Sequence, residues 1–139
     1  MKGATTSEIV GIMLVIAVTF AFFVLIFPNI LSIIVEGFSK AAAENVARQL
    51  SGLITISGSS AYKIKIDYTP TKEHTYKIEI KSRTIKVSPE KLPRYAEKAS
   101  STQSFAVDLN EYKGNNINHF TIEKNFEGES IYDFKAKKE

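Results

Sequence analysis

The sequence predicts an α+β protein: one long N-terminal hydrophobic helix followed by an antiparallel β-sheet or small β-sandwich head. Three observations predict it. From Ile9 to Val35 no residue is ionisable, and from Ile9 to Phe27 nearly every residue is apolar. Beyond Val35 the chain becomes rich in Lys, Glu and Tyr, and its apolar spacing later changes from near 3.6 residues to 2. No cysteine occurs among the 139 residues, which excludes disulfides, thiolate metal sites and cysteine nucleophiles together. The head must therefore be held by its own apolar core or by assembly. The length is room for one ordinary domain, and a net charge of +3 says little about partners.

The first element is the run IVGIMLVIAVTFAFFVLIF, residues 9–27. At roughly 1.5 Å per residue it nearly covers the ~30 Å hydrocarbon core of a bilayer. It is apolar on all sides, so its surroundings are lipid or copies of itself. A secretory signal would have an apolar core of about 7–15 residues and a small-residue cleavage site. Ala41-Ala42-Ala43 could imitate that site, but the run is too long, and Glu36 and Lys40 intervene. A plain single-span anchor fits the length. Pro28, late in the helix, removes one hydrogen bond and predicts a kink. Ala17 and Ala21 form a small-xxx-small pair that permits close helix contact.

The helix is expected to continue, spanning residues 4–57 with an apolar first half and an amphipathic second half. Val35, Phe38, Ala42, Val46, Leu50 and Leu53 recur at steps of three or four and make one stripe. Glu44 and Arg48 support it as an i, i+4 pair. Gly52 and the SGSS of residues 57–60 are expected to end it.

Residues 58–139 then read as an all-β head. YKIKIDY puts Tyr62, Ile64, Ile66 and Tyr68 on one face, YKIEIK does the same with Tyr76, Ile78 and Ile80, and TIKVS offers Ile85 and Val87. If Ser82-Arg83 is a two-residue turn, Ile80 faces Ile85 and Glu79 lies opposite Lys86; Ser-Arg is poor turn chemistry, so a longer loop is the alternative. Residues 89–103, with Pro89 and Pro93, read as a loop holding at most one helical turn. SFAVDL gives a fourth strand with Phe105, Val107 and Leu109 inward, followed by a turn-rich NEYKGNN. NHFTIEK (Phe120 and Ile122 inward) and SIYDFK (Tyr132 and Phe134) complete six strands.

Catalysis finds no support. His74 falls in a turn and His119 on a strand's polar face, both expected in solvent, without a ligand-spaced partner. No nucleophile elbow, phosphate loop or carboxylate pair occurs, so neither an enzyme, a cofactor nor a metal is expected. Charge in the head is uneven. Residues 58–98 carry ten basic and five acidic side chains, and residues 99–139 carry five and seven. Lys63, Lys65, Lys77, Lys81 and Lys86 could share the polar face of neighbouring strands. That face would suit a polyanion or, preferably, the acidic half of a neighbouring head; nucleic acid is not the expected partner.

The residues before the apolar run are the most informative. Lys2-Gly3 is followed by Ala4-Thr5-Thr6-Ser7-Glu8 and then the helix. Thr5-Thr6-Ser7-Glu8 matches a capping box, with Thr5 as N-cap and Glu8 reaching back to it. The whole opening also resembles the class III signal of type IV pilins, and in particular of archaeal pilin-like proteins. The resemblance covers the first third of the chain. It implies that residues 1–3 are a leader, that a prepilin peptidase cuts after Gly3, and that Ala4 becomes the new N-terminus. The retained helix would anchor the precursor in the cytoplasmic membrane, N-terminus inside. It would then pack among copies of itself in the core of a cell-surface filament, with the pilus assembly ATPase and platform as indirect partners.

Glu8 has a physical role in that scheme. A carboxylate at a bilayer edge costs a few kcal/mol unless paired or hydrated. The new amine of Ala4 on one subunit could pair with Glu8 of the next and fix how far the helices slide. Pro28 would be a bend that lets helices pack along the filament. The chain has no Asn-x-Ser/Thr sequon, a departure from the N-glycosylated filaments it resembles. The leading expectation is a structural subunit of a pilus-like filament, with adhesion carried by an outward β head. The alternatives are a membrane-anchored accessory, similar to stator components of an archaellum machine, and a single-span protein whose extracellular β-sandwich binds a ligand.

Overall fold

A computed structural model describes residues 6–71, 74–90, 98–127 and 129–137 of the chain. The expected processing residues Lys2, Gly3 and Ala4, the expected capping residue Thr5, and 91–97 of the loop 89–103 lie outside these. The fold is α+β: a long N-terminal helix precedes two antiparallel sheets. The chain divides into two compact units, Met1–Val35 and Glu36–Glu139.

Helix α1 spans Thr6–Ala21, passes through a single π turn at Phe22–Ile26, and resumes as α2 over Phe27–Ser59. The π turn has a cause in the sequence. Pro28 has no N–H for the carbonyl four residues back, and its ring collides with that carbonyl in an unbroken α-helix. Just before it, the Phe27 N–H bonds the Phe22 carbonyl, five residues back rather than four. Asn29 Nδ2 then donates to the Leu25 carbonyl at 2.9 Å.

In the second unit the helix buries Ala43, Val46, Ala47, Leu50, Ser51, Ile54 and Ser57. This stripe is turned from the expected one. Val46 and Leu50 are common to both, Leu53 is only half-buried, and Phe38 and Ala42 face outward, Phe38 at 76% exposure. Small residues decide the inward face, because Ala43, Ala47, Ser51 and Ser57 let the sheets approach the backbone. Gly52 does not end the helix. It lies within it on the exposed face, and packing of Leu50 and Ile54 on either side offsets the roughly 1 kcal/mol a helical glycine costs.

One sheet has the strand order β1-β6-β7 (Ile64–Tyr68, His119–Glu127, Glu129–Lys137), and the other β4-β3-β2-β5 (Ser101–Ser104, Thr84–Pro89, Tyr76–Lys81, Tyr112–Ile117). Both contribute to a single core with the helix. Ile78, Ile80, Ile85, Val87 and Ile117 come from one sheet, and Phe120, Ile122 and Phe134 from the other. Tyr112 joins them across the sheets, its ring 5.1 Å from that of Phe134.

The alternating patterns of β2, β3 and β6 bury the residues expected. The turn Ser82-Arg83 is the tight two-residue form: Lys81 faces Thr84, Ile80 faces Ile85, and Glu79 faces Lys86. Ser82 takes the left-handed conformation that the turn demands, at φ 53°. Three expectations fail. Tyr62 precedes β1 and is 82% exposed. The fourth strand is Ser101–Ser104 rather than SFAVDL. There the Phe105 N–H bonds the Arg83 carbonyl, and Arg83 grips Asp108 with two 2.8 Å hydrogen bonds, drawing the chain off the sheet while Phe105 and Leu109 still reach the core. The turn-rich NEYKGNN supplies β5, a seventh strand, paired to β2 through a register shift between Tyr76 and Ile78. Gly114 permits this, since a Cβ there would lie 2.5 Å from Ile117 Cδ1 and 2.6 Å from Tyr112 Oη.

Candidate functional site

The helical residues 6–35 contain the expected site residues Glu8 and Pro28. Not one of these side chains is buried. From Ile9 to Ile34 the large apolar side chains are 43–71% exposed, a degree of apolar exposure that a soluble monomer rarely tolerates. The helix is long and apolar enough to cross a bilayer. Glu8 sits in its first turn, where the helix dipole favours a carboxylate. Glu8, Gly11, Ile12, Val15 and Ile16 line one shallow groove, their spacing of three and four placing them on one face. Gly11 lies on that face with no side chain of its own and open space beside it, a small notch next to Glu8. An apolar wall with a carboxylate at one end and a notch beside it can seat another helix and receive a cation.

The five lysines do not share a face. Lys63 and Lys65 belong to the sheet of β1, whereas Lys77, Lys81 and Lys86 lie on β2 and β3 of the other sheet. Three of them have acidic neighbours: Lys63 with Glu123 (3.8 Å), Lys65 with Asp67 (3.7 Å) and Lys77 with Glu79 (3.4 Å). Glu79 pairs with Lys113 (3.3 Å) and Lys77 rather than with Lys86, and the Lys113 hydrogen bond first of all holds its carboxyl below the usual range. Nor do the basic and acidic halves of the head sequence become separate surfaces. β1 from the first half pairs with β6 from the second, and β2 with β5. Pairing strands across the halves mixes their charges.

His119 is not solvated. Its side chain is 14% exposed, with Nδ1 2.8 Å from Thr69 Oγ1 and Nε2 3.6 Å from Asp67 Oδ1. Asp67 is held below the usual carboxylate range, chiefly by the Thr121 hydroxyl at 2.6 Å and then by Lys65 and His119. This cluster fastens the end of β1 to β6. His74 is exposed, at the rim of a small apolar cavity lined by Phe38, Ala42, Tyr76 and Pro89. Among the described residues no group of three His, Asp or Glu side chains could hold a metal ion.

Sequence reasoning missed Lys124. It is 4% exposed, and its ammonium donates to the Gly58 carbonyl at 3.1 Å and to the Ser60 carbonyl, closing the C-terminal end of α2. The signal was present, since the alternation that turns Phe120 and Ile122 inward carries Lys124 to the same side. No protein-family model, curated protein or solved structure matches the chain.

Proposed function

We propose that the protein is a structural subunit of a pilus-like surface filament, its apolar helix packing against the helices of sister subunits and its β head facing outward. One observation carries the reading: an apolar helical stretch without a single buried side chain, headed by a carboxylate beside a glycine notch. Left in water that surface would cost about 25 cal/mol per Å², which confines the helix to lipid or to the company of like helices. Once lipid replaces water around the precursor, helix contact rests on close packing and polar pairs instead. Glu8 supplies the polar pair. Cleavage after Gly3 frees the Ala4 amine, which meets Glu8 of the neighbour and fixes the stagger.

A second reading has its own support. The described residues of the second unit share one core between helix and sheets, as an anchored accessory or binding head that works singly would require. Two measurements separate the readings. Intact mass of the membrane-extracted protein is expected to fall short by Met-Lys-Gly; the full mass favours the anchored accessory. Electron microscopy of sheared surface material is expected to show filaments in the wild type and few or none for Glu8→Gln. Filaments of equal yield and order from Glu8→Gln reject the pairing.

A further inference from the structure

The π turn does more than relieve Pro28. A π turn absorbs one extra residue, so everything upstream is rotated by one residue's worth, about 100°, relative to an unbroken α-helix. The consequence follows from counting faces within residues 6–35. In an unbroken α-helix the line through Glu8, Gly11, Ile12 and Val15 would run on over Ile30 and Ile33 and beside the amide of Asn29. With the one-residue shift at Phe22–Ile26 it runs on over Phe27, Leu31 and Ile34, with Ile30 at its edge, all within about 50° of the groove, while Ile33 leaves it and Asn29 and Ser32 turn to the far side. Phe27, Leu31 and Ile34 are 45–50% exposed, so the seam is open along its length.

We infer that Pro28 is a positioning residue: through the π turn it sets the azimuth of Glu8 so that the acid, its glycine notch and the downstream apolar side chains form one continuous seam. The use of the seam, docking a second copy's helix, rests on the filament reading; the phase step does not. Pro28 removes the donor and fills the space that would close the turn as α. Phe27 commits its N–H to Phe22. The side-chain amide of Asn29 serves the Leu25 carbonyl within the same stretch. Removing one residue from the turn and the proline with it restores a plain α-helix with the native phase. Removing the proline alone yields a plain α-helix with the wrong one.

The test uses the full-length ¹⁵N-labelled chain in aligned lipid bicelles, where amide dipolar couplings vary periodically along a helix and report its phase. Wild type is expected to show a step of about 100° between residues 9–20 and 29–35. Pro28→Ala is expected to show one unbroken wave. Pro28→Ala combined with deletion of Val24 is expected to show an unbroken wave matching the wild-type phase on both sides. An unbroken wave in wild type, or a step that survives Pro28→Ala, overturns the inference whatever the filament assay shows. Filament yield reads the consequence: at least a tenfold loss for Pro28→Ala and recovery in the combined variant. Equal yields from all three, with the step present in wild type, overturn the positioning role and leave the filament reading standing. No filaments from any chain reject the filament reading, and the couplings alone then decide the phase step.

Discussion

One helix, two stretches, opposite habits: residues 6–35 bury no side chain, while residues 36–59 bury seven. Apart from the π turn at Phe22–Ile26, backbone hydrogen bonding is α-helical in both, so helix formation cannot be what distinguishes them. The difference is in who supplies the partner. In the second stretch every third or fourth side chain is met by a strand of the same chain, and small residues bring the sheets close. In the first, the apolar residues go all the way round, so no one-sided sheet could cover them and the partner must come from outside the chain. A helix of the second kind is stabilised by its fold. A helix of the first kind is stabilised by its surroundings, and stays unfinished until it has them.

The contrast breaks most visibly by truncation of matched leucines. Leu50 is fully buried among Ile54, Ile78 and their neighbours, and Leu50→Ala is expected to cost the head about 2–5 kcal/mol, from lost transfer energy and the cavity left behind. Leu25, 66% exposed in the first stretch, is expected to leave the head's stability unchanged on Leu25→Ala. Urea unfolding of the detergent-solubilised chain, followed by tyrosine fluorescence from the head, reads both. A shared loss in the two variants would mean that the stretches are not independent. Lys124→Met is the next largest effect, about 1–3 kcal/mol, because the carbonyls of Gly58 and Ser60 lose their donor at the closed end of the helix. Far-ultraviolet circular dichroism is expected to show fraying of the last helical turn in that variant.

What was legible follows from the same contrast. Periodicity reports an element when one face is apolar, so β2, β3 and β6 and the register of the Ser82-Arg83 hairpin could be read directly. It misplaced the helix stripe because alanine and serine, which carry the closest contacts, hardly register as apolar beside Phe38 and Leu53. It missed β4 and β5 because Ser-Thr-Gln-Ser and Tyr-Lys-Gly-Asn-Asn-Ile owe their strand state to a neighbour's open edge rather than to their own pattern. Glu8 and Pro28 stand out in the sequence because each contradicts the apolar run around it. Lys124 and His119 do not, since a buried polar side chain is defined by partners 50 or more residues away. The five lysines form one patch only if strands close in sequence are neighbours in space, and β1 pairs with β6 in one sheet while β2 and β3 pair in the other.

Two glycines of the second stretch sharpen the comparison at about 1 kcal/mol. Gly52 has open space where a Cβ would stand, so Gly52→Ala is expected to stabilise the helix by up to about 1 kcal/mol. Gly58 faces the Val107 side chain so closely that a methyl group must displace it, and Gly58→Ala is expected to destabilise despite the better helix propensity. Opposite signs in urea midpoint for the same chemical change would show how strongly the sheets constrain the helix end.

The smallest effect concerns the ion pair that draws residues 105–109 off the sheet. Arg83 holds the Asp108 carboxyl below its ordinary value, first by hydrogen bonding and then by charge, and Asp108 raises Arg83 in turn. A carboxyl whose folded pKa is depressed contributes stability that is complete above its unfolded value, near 4, and is lost as pH falls through the lower, folded value. Asp67 and Glu79 are depressed in the same direction by Thr121 and Lys113 and add to the same acid limb. Asp108→Asn is therefore expected to lower the urea midpoint slightly at neutral pH and to make its decline below about pH 4 shallower without abolishing it. Both side chains are mostly exposed, at 61% and 72%, so solvent screens the pair and the shift should shrink further at high salt. An acid limb of unchanged slope in Asp108→Asn would mean that the loop is held by Phe105 and Leu109 in the core, with the ion pair a consequence of that placement rather than a cause.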